Sequence, residues 1–591
     1  MKKKKKILSQ AVSAVLAAAA VSTTAYGAQA SPIDPVPGAY GYFVDHYKTN
    51  TSDNLSPETN AVVGLFASSF GTVWQPGSSW NNGTFLNGAG LAMHAQNMAN
   101  SIAMTNSRTP QQDLDAYMTD RRNQSYSALD GLGKYEEAFK SLAKAETSLA
   151  YEIPADAQTK KYSDAGGANG NWADPDSDLG NMVKLVDTVR GTYSSGNPAK
   201  EAFQYMRPFR WNSQVKLVPA LQPCVSDDPM TDGGFPSGHT NAGYLASLAL
   251  AYAVPEQYQT LLTNASEIGN YRIIAGMHSS FDVMGGRIMA TALAAAILND
   301  PDNAQLKADA RREAEEILLK AQTGEGLEKY AYEDINRQNY EDRLTYFMPQ
   351  TGDPTKPMVV PKGAEVLLET RFPYLDGDQR RWVLYSTGLP SGYTLLDDTE
   401  GWGRLDLYAA SEGYGSFDQD VTVDMNADQG GFCAWDTWAN DIDGQGSLTK
   451  NGSGTLCLSG DNSFTGGVHV NGGALNLASS KALGNGLVDN QAVIEEQVTG
   501  PVYVAGNYSQ TEKGELSLDI NSSADAFVIG GEADLNGVLN LDFTDCPDPQ
   551  AGTVILSAGS LQGAFADLNC VGLSADKTVA AVGNQIVVQN K

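Results

Sequence analysis

The chain has 591 residues, a formal charge of −29 and 42% hydrophobic residues, so it is long enough to form more than one domain. Such an acidic chain is a poor candidate for binding nucleic acid or anionic lipid, and we expect neither partner. Its five cysteines show no CxxC or Cys/His spacing typical of zinc sites.

Residues 1–30 predict a secretory signal peptide. Residues 2–6 are all lysine and form a basic n-region, residues 7–21 form an apolar h-region, and residues 28–30 supply a small-residue cleavage site. A transmembrane anchor is the alternative, but the apolar run is short for a span. Removing the five lysines would leave a mature chain of charge −34, since residues 1–30 contain no acids. We therefore expect an exported protein.

Export would permit disulfides. Cys433–Cys457 and Cys546–Cys570 are candidate local pairs, and the odd count leaves at least one cysteine unpaired. Cys224 stands alone in the first half of the chain, and we expect it to be a buried thiol rather than a nucleophile.

Residues 31–340 have the periodicity of an all-α domain. The predicted helices cover residues 91–105, 117–150, 179–189, a stretch from Pro198 towards Tyr205, a stretch opened by Thr240, then 256–274, 282–298 and 303–322. The richest apolar segments, 242–254 and 288–298, are short and predict buried core helices, so we expect no integral membrane span after the signal peptide.

Residues 341–429 predict a mixed connecting region, with helical composition at 370–387 and 405–412 and no evident role. From residue 430 to 591, short alternating strands are separated by Gly, Asn and Ser turns, which predicts a C-terminal all-β region resembling a solenoid. The strands are expected at 455–459, 468–470, 474–477, 515–520, 538–543, 553–556 and 585–588.

Three short pieces between residues 200 and 282 carry the candidate chemistry. The first contains Lys200 and Arg207, followed by Pro208. The two cations are seven residues apart, about two helical turns, so we expect them on one helix face with the helix ending at Pro208. On its own, such a pair is more typical of a solvated surface.

The second piece is Pro236-Ser237-Gly238-His239 at the start of a predicted helix. The backbone N–H groups of Ser237 and Gly238, and the Ser237 hydroxyl, are suited to bind an oxyanion at a helix N-terminus. His239 would then lie beside that anion. The alternative is an ordinary capped turn with a surface histidine.

The third piece contains Arg272, His278 and Asp282. A carboxylate four residues after a histidine can accept one ring N–H, which fixes the tautomer and leaves the other nitrogen free to attack. Asp282 could instead serve only as a helix cap. The other histidines, His46, His94 and His469, have no such pattern and are expected to be structural or surface residues.

The three pieces together resemble the phosphatidic acid phosphatase type 2 superfamily, and within it the exported class A non-specific acid phosphatases. They match K-x6-R-P, P-S-G-H and R-x5-H-x3-D, with Tyr271 where the family usually has Ser. The resemblance implies that His278 is a nucleophile forming a phosphohistidine, that Asp282 orients it and that His239 is the general acid and base. It assigns phosphate binding to Lys200, Arg207, Ser237, Gly238 and Arg272, with no metal or other cofactor.

Residues 446–475 resemble the autotransporter-associated β-strand repeat of Gram-negative bacteria. The resemblance implies a periplasmic, secreted or cell-surface location, with the β region associating with the outer surface. Little sequence follows the repeat for a membrane barrel, so self-translocation is not expected.

The sequence therefore predicts an exported phosphatase acting on small phosphate monoesters. A lipid phosphatase is a further option, but the absence of predicted membrane spans counts against it. Two other functions are compatible with the same residues. A vanadate-dependent haloperoxidase would bind vanadate in the oxyanion pocket with His278 as a ligand. A surface adhesin or structural passenger would carry a vestigial enzyme domain.

Overall fold

A computed structural model describes residues 31–79, 82–321 and 330–591. The predicted signal peptide lies outside the described residues, as does the end of the helix predicted at 303–322. The described chain contains a helical domain followed by a β-solenoid, which confirms the predicted fold class.

The helical domain is built around three long helices whose side chains are almost entirely buried. Its helices are α1 Phe43–His46, α2 Ala61–Ala67, α3 Gly88–Ser107, α4 Pro110–Arg121, α5 Gln124–Ala128, α6 Glu136–Leu142, α7 Gly180–Val189, α8 Asn197–Phe203, α9 Pro208–Trp211, α10 Gly238–Ala253, α11 Tyr258–Ile274, α12 Ser280–Asn299, α13 Ala304–Glu313 and α14 Glu333–Thr345. The central three, α10, α11 and α12, pack on one another and bring the three sequence pieces together. A small antiparallel pair, β1 Trp74–Gln75 and β2 Thr84–Phe85, lies beside them.

Helix α12 is the described helix that is long and apolar enough to span a bilayer by length and composition. Its residues from Ser280 to Leu298 are all buried inside the domain. It is thus the core helix that the apolar run at 288–298 predicted.

The single helix predicted over residues 117–150 is wrong. The chain leaves α4 at Arg122, which is extended, and continues through α5, a 3₁₀ segment at Leu129–Tyr135 and α6. Gly133 has a φ of 54°, which interrupts the helical path. Apolar periodicity continues across the breaks although the pieces face two clusters, since Tyr117 of α4 packs in a smaller cluster and Leu132 and Phe139 pack in the main core.

Residues 341–429 pack against both neighbouring regions. They include the 3₁₀ turns Ala364–Leu368 and Trp402–Arg404 and the helices α15 Gly377–Ser386 and α16 Leu407–Ser411. Buried Arg287 of α12 donates to the carbonyl oxygens of Gly403 and Leu405. The carboxylate of Glu400, which is 1% exposed, accepts from the backbone N–H of Phe43.

The β-solenoid consists of two seven-stranded parallel sheets, one five-stranded sheet and one two-stranded parallel sheet, in about six turns. A short helix, α17 Gly431–Ala434, lies between its second and third strands. The strands are β3 Ser416–Phe417, β4 Val421–Met425, β5 Trp435–Trp438, β6 Asp443–Gly444, β7 Leu448–Gly452, β8 Thr455–Leu458, β9 Val468–Val470, β10 Ala474–Leu477, β11 Val488–Asn490, β12 Val493–Glu496, β13 Val502–Val504, β14 Tyr508–Gln510, β15 Glu515–Asp519, β16 Phe527–Ile529, β17 Glu532–Leu535, β18 Val538–Asp542, β19 Val554–Ser557, β20 Ser560–Gly563, β21 Asp567–Val571, β22 Lys577–Val582 and β23 Gln585–Asn590. Strand β4 already pairs with β7, so the solenoid begins before the predicted boundary at residue 430.

Identical positions of successive turns stack in register. One inward column contains Leu456, Leu475, Ile494, Leu516 and Leu539, all without solvent exposure. Burying each of these side chains contributes about 1.5–3 kcal/mol to folding.

The solenoid meets the connecting region through a buried ion pair. Arg371 Nη1 lies 2.7 Å from Asp436 Oδ2 of β5, and the guanidinium is stacked between the rings of Phe372 and Phe432. Tyr374 donates to the same carboxylate and accepts from the indole N–H of Trp438 at 2.9 Å. The two candidate disulfides are not formed, since all five cysteines are free thiols.

Candidate active site

His278 lies in the turn between α11 and α12 and is 2% exposed. Gly276, with a φ of 77°, turns the chain after α11, and Ser279 caps the start of α12. The Nδ1–H of His278 donates to Asp282 Oδ2 at 3.3 Å. That bond leaves Nε2 without a proton, as a nucleophilic imidazole requires.

Asp282 is held in place from two directions. Its Oδ2 accepts from the backbone N–H of Ser279 at 2.7 Å, and its backbone oxygen accepts from the N–H of Ser237 at 2.7 Å. The Ser237 contact joins the start of α12 to the start of α10, so the second and third sequence pieces are fixed to each other. It also occupies the Ser237 N–H, which therefore does not serve as the oxyanion donor that the sequence predicted.

Gly234 packs directly on the Asp282 carboxylate. A Cβ at Gly234 would lie 2.9 Å from Asp282 Oδ2, so any larger residue there would push the carboxylate away. Sequence reasoning missed Gly234, since nothing in its local pattern reveals that close approach.

Arg207 and Lys200 supply positive charge beside His278. Arg207 Nη1 lies 3.1 Å from His278 Nε2 and donates to the backbone oxygen of Met277 at 2.7 Å. Lys200 Nζ donates to the carbonyl oxygens of Gly233 and Gly234 at 2.8 and 3.1 Å. These contacts place Lys200 against the turn of the second piece and Arg207 against the turn of the third.

The expectation that Lys200 and Arg207 share one helix face is wrong. Helix α8 ends at Phe203, and Gln204 adopts a left-handed conformation with a φ of 47°. Arg207 then lies in extended backbone, and Pro208 begins α9 instead of ending a helix. The left-handed residue was not foreseeable, because glutamine seldom adopts that conformation.

The second piece forms a capped helix start. The Ser237 hydroxyl oxygen accepts from the N–H and the hydroxyl of Thr240, which leaves its own O–H proton available to a ligand. A Cβ at Gly238 would meet no atom within 4 Å, so open space lies beside its backbone.

His239 is oriented by a backbone carbonyl. Its Nε2–H donates to the oxygen of Asp120 at 3.0 Å. Nδ1 is therefore the ring nitrogen left to exchange a proton with a ligand.

Asp120 is a site residue that sequence reasoning missed. Its carboxylate pairs with Arg272 and with Arg121, and the side chains of Asp120 and Arg272 are each 1% exposed. The pair joins residues 152 positions apart, and no local motif marks Asp120. Burial alone would raise the pKa of Asp120, but the positive charge of Arg272 holds that pKa well below its usual value.

Asp232 is a second missed residue. Its two carboxylate oxygens pair with Arg207 Nε and with Arg210 Nη2, the latter at 2.7 Å. Asp232 thus fixes the direction of Arg207, whose Nη1 remains aimed at His278.

Burial and neighbouring cations keep both histidines uncharged. Burial, then the charges of Arg207 and Lys200, hold the pKa of His278 well below its usual value. Burial and Arg272 lower the pKa of His239 to about 3. Burial lowers the pKa of Lys200, with Arg207 adding to the effect, and burial raises the pKa of Asp282.

Two of the other histidines have partners outside this site. His94 Nδ1 lies 2.9 Å from the hydroxyl of Tyr205, and His469 Nδ1 lies 2.9 Å from Asp489 in the solenoid. Within the described ranges, no cluster of three or more His, Cys, Asp or Glu residues is arranged to hold a metal ion.

Two parts of the chain match models of known protein families. Residues 182–305 match the PAP2 superfamily model, and residues 448–477 match the Passenger-associated-transport-repeat model. The first range includes all three sequence pieces, and the second includes strands β7 to β10. Both family resemblances drawn from the sequence are confirmed.

Three curated relatives each match part of the chain. The chain is similar to an acid phosphatase of Zymomonas mobilis, at 32% identity over 25% of this chain and 54% of the relative. It is similar to the Neisserial autotransporter lipoprotein NalP of Neisseria meningitidis serogroup B, at 35% identity over 19% of this chain and 10% of the relative. An extracellular serine protease of Serratia marcescens is 28% identical over 30% of this chain and 20% of the relative. The chain thus covers from a tenth to about half of the length of these relatives.

Proposed function

We propose that the protein is an exported phosphatase that hydrolyses phosphate monoesters through a phosphohistidine intermediate. The observation that carries the proposal is the environment of His278. Its Nδ1 is held by Asp282 and its Nε2 lies beside Arg207, while burial and the positive charges around it keep the ring neutral. A neutral imidazole inside a ring of cations suits attack on an anionic phosphoryl group.

In the first step, Nε2 of His278 attacks phosphorus, and a new P–N bond forms as the P–O bond to the leaving group breaks. The leaving oxygen takes the electron pair of that bond and a proton from Nδ1 of His239, which first receives this proton from the substrate monoanion. Asp282 stabilises the positive charge that develops on His278. Lys200, Arg207 and Arg272 bind the phosphoryl oxygens, with further hydrogen bonds from the Ser237 hydroxyl and the Gly238 N–H.

In the second step, water attacks phosphorus from the side the leaving group vacated. His239, now neutral, takes a proton from that water, and the P–N bond breaks with its electron pair returning to His278. Phosphate takes a proton from His239 and leaves as the monoanion, so both histidines regain their neutral starting states. The three cations supply the charge neutralisation that a metal ion provides in other phosphoryl transfer sites, so we propose that no metal is required.

The location proposed for the protein is the periplasm or surface of a Gram-negative bacterium. The similarity to an autotransporter lipoprotein and an extracellular protease supports export. The solenoid would then associate the enzyme with the outer surface.

Hydrolysis of p-nitrophenyl phosphate by the purified mature chain tests the activity. The whole chain is the right material, because residues 341–429 share one buried core with the helical domain. Acid phosphatase activity that persists in EDTA is expected. Brief reaction with radiolabelled substrate and alkaline quench should trap label on His278, and a folded protein with no turnover would contradict the proposal.

A further inference from the structure

The last turn of the solenoid ends in two open strand edges. Strand β20 is the outer strand of one seven-stranded sheet and β21 is the outer strand of the other, and no further strand of the described ranges pairs beyond them. All five residues of β21, Asp567–Val571, are exposed. Such an edge presents unpaired backbone N–H and C=O groups, which can pair with another strand.

The buried columns of the solenoid become exposed at β21. Leu539 of β18 is fully buried, whereas Leu568, the next member of its column, is 41% exposed. Leu541 is also buried, but the next member of that column, Cys570, is an exposed thiol. Each inner turn is covered by the turn that follows it, so the last turn lacks an apolar contact that the others have.

The five-stranded sheet ends differently. Strands β22 and β23 form an antiparallel hairpin that is added to β19, so this sheet continues past the last turn. Ile586 and Val588 of β23 are buried, which shows that the hairpin covers apolar interior on this side. In the part of the chain that the structure describes, neither seven-stranded sheet has a comparable hairpin at this end.

The open edges carry little charge. Asp567 is the one charged residue in the sequence from Ser560 to Ala575, although the whole chain has a formal charge of −29. Charged side chains commonly protect exposed strand edges from pairing. Two copies of so acidic a chain repel each other over most of their surfaces, so a weakly charged end is where they can approach. A second copy presents the same edge and the same open columns, as a two-fold interface requires.

We propose that the solenoid end formed by β20 and β21 is a docking surface for a second copy of the chain. Two β21 strands pair antiparallel about a two-fold axis at Asn569. In this register, Leu568 of one copy lies opposite Cys570 of the other, so the apolar columns of the two solenoids meet. Asp567 lies opposite Val571, which keeps the two carboxylates apart. The two helical domains then lie at opposite ends of the dimer.

Sedimentation velocity of the purified whole chain at increasing concentration tests the proposal. We expect a monomer–dimer equilibrium in which the sedimenting mass approaches twice that of one chain. Leu568→Lys should raise the dimer dissociation constant by about tenfold or more, because it places like charges at the apolar junction. Leu487→Lys is the matched control, since Leu487 is 42% exposed and precedes β11, which two strands separate from β20; it should leave the constant unchanged.

A cysteine at the two-fold axis tests the register. In Asn569→Cys combined with Cys570→Ser, the two introduced thiols lie opposite each other, at a Cα separation of about 5 Å that suits a disulfide. Oxidised glutathione should oxidise the two thiols to a disulfide, releasing two molecules of reduced glutathione, and give a covalent dimer on a non-reducing gel. Cys570→Ser alone is the control and should give no covalent dimer.

The outcomes do not depend on phosphatase activity. A dimer that Leu568→Lys weakens and that Asn569→Cys links covalently would support the proposal. A chain that stays monomeric at every concentration would overturn it and leave the edge to a different partner. Open-ended aggregation, a dimer that Leu568→Lys leaves unchanged, or a dimer that Asn569→Cys does not link would also overturn it, because each contradicts the antiparallel pairing of β21.

Discussion

The helical domain and the solenoid use buried residues in opposite ways. Around His278, buried charged and polar groups converge from distant parts of the chain, and Asp282 Oδ1 and Arg272 Nε have no hydrogen-bond partner within the described ranges. In the solenoid, apolar columns repeat at each turn, as Leu475 and Ile494 illustrate. The proposed activity would therefore depend on a few residues with no substitute, whereas solenoid stability is spread over many equivalent ones.

The largest effect on activity is expected at the nucleophile. His278→Ala should lower kcat for p-nitrophenyl phosphate by about 10⁴-fold or more, because no P–N bond can form. Steady-state kinetics and phosphoenzyme trapping measure the loss. His469→Ala, in the solenoid, is the control and should leave kcat unchanged; equal activity of the two variants would remove His278 from the mechanism.

Asp120→Asn should have the next largest effect. It leaves Arg272 buried without its charge partner, so kcat/KM should fall by about 10²-fold and the free energy of unfolding by about 3–5 kcal/mol. Urea denaturation and kinetics measure the two changes. Asp113→Asn, on the same helix but paired with the less buried Arg108, is the control and should change both quantities much less.

Activity should decline as pH rises above about 6, approaching tenfold per pH unit. The lowered pKa of His239, about 3, means that the free protein leaves this ring neutral, so the proton must arrive with the substrate monoanion, whose second pKa is about 6. The lowered pKa of His278 keeps the nucleophile neutral well below pH 6.5. A profile of kcat/KM against pH measures the decline above pH 6 and the activity kept below it. A rise in activity from pH 6 to 8 would contradict the proton assignment.

Gly234→Ala should lower kcat by about tenfold, because the added methyl group would displace Asp282 from His278. Kinetics at saturating substrate measure the change. Gly377→Ala, at the start of α15, is the control, because a Cβ there would come no closer than 3.9 Å to a neighbouring side chain. That variant should keep wild-type kcat, and an equal loss in both would show that the effect is not specific to Asp282.

The smallest effect on activity is expected in the solenoid. Leu516→Ala should lower the free energy of unfolding by about 2–5 kcal/mol, since Leu516 has no solvent exposure. Its kcat should match that of the unmodified chain. A loss of activity without unfolding would show that the two regions are coupled more closely than their packing indicates.

The same contrast explains what could be predicted from the sequence. Solenoid strands such as Val468–Val470 and Ala474–Leu477 were predicted with the observed bounds, because alternation and turns are local. The contact between His278 and Asp282 was predicted correctly because the two residues are only four positions apart in the sequence. Asp120 and Asp232 were missed because their partners come from other elements, and the path from Lys200 to Arg207 depends on left-handed Gln204.

The join between residues 341–429 and the first solenoid turns has a mechanical consequence. Arg371 and Tyr374 both bind the buried carboxylate of Asp436, so the connecting region is packed against the solenoid instead of being joined to it by a loose linker. Adjacent parallel strands lie about 4.8 Å apart, so about six turns make a rod of roughly 30 Å. Inserting one turn would move the candidate active site one strand spacing further from the C-terminal end of the solenoid and rotate it slightly, without changing its residues. The number of turns would thus set the distance and orientation of the site relative to that end.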